Sequence, residues 1–228
     1  MPRISRIIAP GLPHHIAQRG NNLSPVFFAD EDRETYLDML SFNASRHFLQ
    51  IWAYCLMENH LHILAVPEQA DSLARGIGIT NQVYTQYINR RLHHSGHLWQ
   101  NRFFSCIVGG EQQLWETARY IECNPLRIGL TETAEEYAWS SARAHTTGAR
   151  DPVLSPASWL APRKRKAYSA FTRLVDDTAD DAIRRATRTG RPFASDDFID
   201  KLERQMQLPL RPGKPGRPPK KLLEAPSP

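Results

Sequence analysis

From His14 to Cys123 short apolar, β-rich runs alternate with longer stretches of helical periodicity, and the order of that alternation leaves few folds open. His14 to Arg19 (HHIAQR) reads as a strand closed by Gly20-Asn21-Asn22. Asp30 to Phe48 carries Tyr36, Leu37, Leu40 and Ala44 at helical spacing behind an acidic first turn. Leu49 to Met57 and Leu61 to Val66 read as paired strands joined by a tight turn at Glu58-Asn59-His60, with Pro67 stopping the second. Asp71 to Leu92 predicts a helix whose inner face is Leu73, Ile77, Val83, Tyr84, Tyr87 and Ile88. Phe103 to Val108 is a fourth strand, and Glu111 to Cys123 a further helix ended at Asn124-Pro125, because a residue before proline avoids the α region. The order β-α-β-β-α-β plus a helix predicts an α+β chain of the ferredoxin-like split βαβ type, an antiparallel sheet with helices packed on one face.

Beyond residue 145 the composition changes. Arg163 to Arg191 holds nine Lys or Arg against four Asp, in short helical patterns broken by Gly190 and Pro192. Arg211 to Lys221 (RPGKPGRPPKK) has five cations and no acid, so it cannot build a packed core. The expected organisation is a core over 1–145, a basic helical accessory region over 146–208, and a Pro/Lys/Arg-rich flexible tail over 209–228. The formal charge of +5 points to a polyanionic partner. No stretch approaches the roughly 18 apolar residues of a membrane span, which excludes an integral membrane protein of the helical kind. MPRISRIIAPGLP lacks the apolar centre of a secretory leader, and Cys55, Cys106 and Cys123 are odd in number and widely spread. A cytoplasmic chain without disulfides or a zinc-type cysteine site is therefore expected.

Two small groups of residues can carry chemistry. His60 and His62 stand two apart at the head of a strand, so both imidazoles share one sheet face while Leu61 faces the core. Such a pair can hold a cation, and it can equally be two polar residues on an open face. Tyr120 and Asn124 stand one helical turn apart. An amide oxygen suits Mg²⁺ or Mn²⁺, and a phenol beside it could attack a phosphate held by that metal. The same two residues also fit a half-buried core aromatic and a helix cap before Pro125.

Four segments together resemble one family: His15-Ile16-Ala17-Gln18-Arg19-Gly20-Asn21-Asn22, Met57 to Leu64, Leu98-Trp99-Gln100-Asn101-Arg102-Phe103, and Ala118 to Leu130. In order and spacing, over roughly residues 5 to 145, they look like the REP-associated tyrosine transposases of the IS200-like HUH single-strand transposase superfamily. The resemblance implies an HUH nuclease core in which His60 and His62 are metal-binding histidines, Asn124 completes the coordination and Tyr120 is the single nucleophile. It places Arg19, Asn21, Asn101, Arg102 and Arg127 in segments lining the DNA-binding face. Arg191 and Arg217, in two Gly-Arg-Pro triplets, are further candidates for DNA contact, because an Arg on an extended Gly/Pro backbone can enter a minor groove. Where such proteins often have His-x-Asn-Pro, this chain has Glu122-Cys123-Asn124-Pro125, and the expected effect is on the hydrogen bonds behind the ligands.

The implied activity is metal-dependent cleavage and rejoining of single-stranded or hairpin DNA, at repetitive extragenic palindromes, through a 5′-phosphotyrosine link. A free tyrosine, with a pKa near 10, is almost wholly protonated at neutral pH and needs activation. A divalent cation on His60, His62 and Asn124 would neutralise charge on the scissile phosphate. Two rivals share parts of this pattern. A plasmid-type replication initiator or relaxase has a similar core, with paired catalytic tyrosines or an attached helicase as its distinguishing marks. A domesticated repeat-binding protein would bind without cutting. Whether the chain acts as monomer or homodimer is not written in these motifs.

Overall fold

A computed structural model describes residues 6–156, 159–174 and 176–212. Its four strands, β1 (His14–Arg19), β2 (Leu49–Leu56), β3 (His60–Pro67) and β4 (Phe104–Ile107), form one antiparallel sheet in the order β2-β3-β1-β4. Helices α1 (Asp30–Arg46) and α2 (Ser72–Arg91) make the two crossovers, and α3 (Glu111–Glu122) follows β4. This is the ferredoxin-like α+β arrangement that the alternation of periods predicts. The central pairing of β1 with β3 sets Ala17 opposite His62 and Arg19 opposite His60, and β2 sets Cys55 opposite His62 from the other side.

Because side chains alternate along each strand, the register sorts residues into two layers. Ile16, Ile51, Leu61, Ile63 and Ala65 face α1 and α2, where they pack with Tyr36, Leu40, Leu73, Ile77 and Tyr84. Each such Ile or Leu side chain, wholly withdrawn from water, stabilises the fold by about 1.5–3 kcal/mol. Ala53, Cys55 and Leu64 point the other way, onto Leu114, Ala118 and Ile121 of α3. The same cluster takes in Tyr168 of α6 (Arg165–Phe171) and Ile183 of α7 (Asp177–Thr189). Helices therefore cover both faces of the sheet, where helices on one face were expected. The reason is visible in β3, whose residues from Leu61 to Pro67 are all buried, as happens only when a strand is covered from both sides.

The basic stretch after residue 145 contributes apolar side chains to this packing and leaves most of its charges outside, the buried Asp180 excepted. Helix α7 is started by Asp176, whose side chain accepts from the Ala179 N–H at 3.0 Å, and ended by Gly190 at φ 71°. Helix α8 (Asp196–Met206) seats Leu202 with Ile107 of β4 and Ala9. Two short helices, α4 (Asn124–Arg127) and α5 (Ala142–Thr147), complete the set used below. Val83, expected on the inner face of α2, is 39% exposed. The inner row runs through Leu73, Ile77, Tyr84 and Ile88, and a single residue step rotates Val83 about 100° away from it. Cys55, Cys106 and Cys123 are free and buried. Among the described residues no helix is long and apolar enough to cross a membrane.

Candidate active site

At the head of β3, Leu61 is fully buried toward α1 and α2, which turns His60 and His62 to the opposite face. There α3, seated by Leu114, Ala118 and Ile121, delivers Tyr120. The Tyr120 and His62 ring centroids are 5.3 Å apart, and those of His60 and His62 5.2 Å. Asn124 opens α4 just past the end of α3, and its Nδ2 donates to the carbonyls of Tyr120 at 3.0 Å and Ile121 at 3.3 Å. Its carboxamide also lies beside His60. Asn124 thus caps the helix with its nitrogen, which leaves its oxygen to face the histidine.

The donor set fits a divalent cation. Asn59 Nδ2 donates to the Leu23 carbonyl at 3.1 Å, so Asn59 Oδ1 is the acceptor 2.7 Å from His60 Nδ1, and the His60 electron pair sits on Nε2. The Asn124 oxygen has no hydrogen to offer that pair, and a cation shared by the two satisfies both. Burial is the chief cause that lowers the pKa of His60 and carries that of His62 well below the ordinary value, with the cationic Arg127 adding to it. Both rings are therefore neutral, as ligation requires. Among the described residues no three His, Cys, Asp or Glu side chains gather as a metal cluster.

Helix α7 closes the site from the side. Arg184 stands beside the Tyr120 phenol, its guanidinium carbon 5.6 Å from the ring centroid. Arg127 stands over the same ring at 4.5 Å and donates to the Tyr120 carbonyl. Burial raises the Tyr120 pKa, while Arg184 and Arg127 pull it back. Asp180 holds Arg119 at 3.3 Å and Arg127 at 3.0 Å, pinning α7 to α3 and α4. His60, His62 and Tyr120 line two adjoining cavities, one continuing past Asn124 and Arg127, the other, of ≈ 450 Å³, past Ala17, Leu23 and Phe104. The sequence pattern missed His15, Arg184 and Thr187. Only His15 carried a signal, since it shares a face of β1 with Ala17, which pairs with His62.

The family profile described as "Transposase IS200 like" matches residues 11–124, half of the chain, from β1 through Asn124. The chain belongs to the IS200-like transposase family. A curated REP-associated tyrosine transposase of Haemophilus influenzae is 26% identical to it over 99 residues, 39% of this chain and 56% of that protein. The match thus spans little more than half the length of that relative. A solved structure of a REP-associated tyrosine transposase bound to a REP hairpin has the same fold, with a TM-score of 0.51 and 15% identity over 69% of this chain and 93% of that one. A solved transposase structure from Deinococcus radiodurans covers 50% of this chain at 18% identity, with a TM-score of 0.37.

In this member of the IS200-like transposase family the residues expected on the DNA face fall into separate places. Arg19, Asn21, Asn101 and Arg102 are exposed on two segments that run side by side. The Gly20 to Trp99 bridge joins those segments, with Gln18 Nε2 donating to the Asn101 carbonyl at 2.8 Å and Asn21 N–H to the Leu98 carbonyl at 2.9 Å. Arg127 lies in the site itself. Arg191 donates to the carbonyls of Leu210 and Arg211, each at 2.6 Å, and so ties down the chain after α8. Arg217 lies outside the described residues. Glu122, expected to act behind the ligands, instead turns away from them. It is fully buried and accepts from Ser141 at 2.5 Å, His145 at 2.5 Å and Tyr168 at 2.7 Å, because a position two residues from Tyr120 lies on the other side of the helix.

Proposed function

We propose that this chain is an endonuclease and strand transferase acting on single-stranded DNA, with Tyr120 as nucleophile. The observation that supports it best is the meeting of one phenol, two neutral imidazoles and one amide oxygen at the edge of a cavity, from elements 60 residues apart in sequence. His60, His62 and Asn124 would hold a divalent cation, Mg²⁺ or Mn²⁺, which when bound supplies a positive charge against the scissile phosphate. The Tyr120 oxygen attacks phosphorus as the phenolic proton is lost, a P–O bond forms to Tyr120, and the P–O bond to the 3′-oxygen breaks. That oxygen leaves as a 3′-hydroxyl after taking a proton from solvent, while the 5′-phosphate stays on Tyr120. A second 3′-hydroxyl reverses the same exchange and joins strands with no external energy source.

The nearby cations have complementary tasks. Arg184 and Arg127 favour the phenolate form of Tyr120, and both are placed to meet phosphate oxygens beside it. Arg19 and Arg102 offer a basic margin along which a strand can run, with Asn21 and Asn101 beside it. The partner is hairpin DNA of the REP type, in keeping with the ligand named for the structurally similar protein. Tyr120 is the tyrosine lining both cavities, whereas Tyr84 is buried with its hydroxyl on the Val26 carbonyl at 2.8 Å, which favours a one-tyrosine enzyme over a paired-tyrosine initiator.

A labelled single-stranded hairpin oligonucleotide incubated with Mn²⁺ tests the proposal. Wild type forms a covalent adduct that maps to Tyr120 and is absent in Tyr120→Phe. Equal adduct in the two proteins, or binding with no cleavage in either, would instead identify a different nucleophile or a repeat-binding protein that does not cut.

A further inference from the structure

A chain of buried hydrogen bonds runs from α7 to the back of His62. His62 Nδ1 is 3.0 Å from His15 Nε2, His15 Nδ1 is 2.7 Å from Thr187 Oγ1, and Thr187 Oγ1 is 2.8 Å from the Ile183 carbonyl oxygen. None of the three side chains is more than 8% exposed, so water does not substitute for any link. A neutral imidazole has one N–H and one electron pair, and which nitrogen carries which is set by what its partners accept or donate.

The direction of every link follows from the last one. A carbonyl only accepts, so the Thr187 O–H points at Ile183; turned elsewhere, it would leave two acceptor oxygens facing each other at 2.8 Å. The Thr187 oxygen then accepts from His15 Nδ1–H, and its second electron pair faces Cys106 Sγ at 3.3 Å. His15 Nε2 is left with an electron pair, which receives His62 Nδ1–H. The remaining nitrogen of His62, Nε2, keeps its electron pair open. His15 can reach because β1 and β3 pair in a register that sets Ala17 opposite His62, making His15 its diagonal neighbour on the same face.

We propose that Thr187 and His15 are positioning residues which lock His62 in the tautomer able to ligate a cation, so that the docking of α7 on the sheet primes the metal site. The relay rests on the reading of His62 as a ligand given above. Helix α7 then acts at both halves of the centre, setting His62 through Thr187 and contacting the nucleophile through Arg184. A ligand whose tautomer and ring orientation are fixed beforehand is worth about 10- to 100-fold in metal affinity.

Ring-nitrogen NMR of the full chain without metal, paired with Mn²⁺ titration, tests the relay. Wild-type His62 is expected to carry its hydrogen on Nδ1. Thr187→Val keeps the side-chain shape but removes the acceptor for His15 Nδ1–H, freeing His15 to turn its hydrogen toward His62 and displace that of His62 onto Nε2. Its Mn²⁺ affinity should fall about 10- to 100-fold with the melting transition retained, and Thr187→Ser should restore both the tautomer and the affinity. Wild-type His62 found protonated on Nε2 overturns the relay without any variant. So does folded Thr187→Val that binds Mn²⁺ as tightly as wild type. A wild-type protein that takes up no Mn²⁺ while holding Nδ1–H on His62 overturns the assignment of His62 as a ligand and supports the relay.

Discussion

At Tyr120 two opposed effects meet in one side chain. Withdrawal from water disfavours the phenolate, while the cations Arg184 and Arg127 favour it, and burial is the larger of the two. Tyr120 is consequently held neutral, with the two cations that favour its ionised form already in place. Arg184→Ala removes one positive charge from beside the phenol, so the Tyr120 ionisation moves further up. Single-turnover cleavage in Mn²⁺ should slow about 10- to 100-fold at neutral pH, the scale on which one close cation acts on an ionising group, and the alkaline limb of the rate profile should shift to higher pH. A profile unchanged in position would remove Arg184 from any part in activating the phenol.

Between elements, the decisive contacts are buried charges that fasten α7 and α3. Asp180 is the shared partner of Arg119 and Arg127, and the side chains of Asp180 and Arg119 are 4% and 3% exposed. Replacing such a network with apolar residues can be neutral, but deleting one partner leaves a buried charge unbalanced. Asp180→Ala is expected to lower unfolding stability in urea by about 3–5 kcal/mol. Because α7 carries Arg184 and Thr187, the same substitution should weaken Mn²⁺ binding in protein that is still folded, and a loss of stability with metal affinity untouched would show that α7 stays docked without the network. Glu122 fastens the other side of α3 to α5 and α6 in the same manner, through Ser141, His145 and Tyr168.

For the molecule as a whole, covering both faces of the sheet forces polar groups into the interior, and this carries a pH signature. Burial lowers the pKa of His14 to about 4 and that of His15 to about 3, against an ordinary value of 6.5. With the folded pKa depressed, the unfolded chain binds more protons between about pH 6.5 and pH 3–4, so stability is intact above that window and is lost as pH falls through it. The two residues together should cost about 2–3 kcal/mol between pH 7 and pH 5.5 in metal-free protein. Denaturant titrations at those two values measure it, and equal midpoints would mean that the two rings gain protons without unfolding. The net charge of +5 acts at the same scale: association with the proposed DNA partner is expected to weaken as salt rises, since binding would release counterions from the phosphates.

Period and order alone determined the four strands, the two crossover helices and the helix that bears Tyr120, because a strand with alternating burial and a helix with a 3.6-residue stripe leave their marks locally. The same local rules put His60 and His62 on one face, and Asn124 one turn from Tyr120. Only the tertiary structure decided what stands behind them. Arg184 and Thr187 belong to a helix some sixty residues past Tyr120, in a stretch whose composition reads simply as basic. Glu122 looks interchangeable with a residue behind the candidate ligands until the turn of α3 is known. The difference is physical: backbone periodicity is written by neighbours in the chain, whereas the tautomer of His62 and the ionisation of Tyr120 are fixed by groups that meet only when the second face of the sheet is closed.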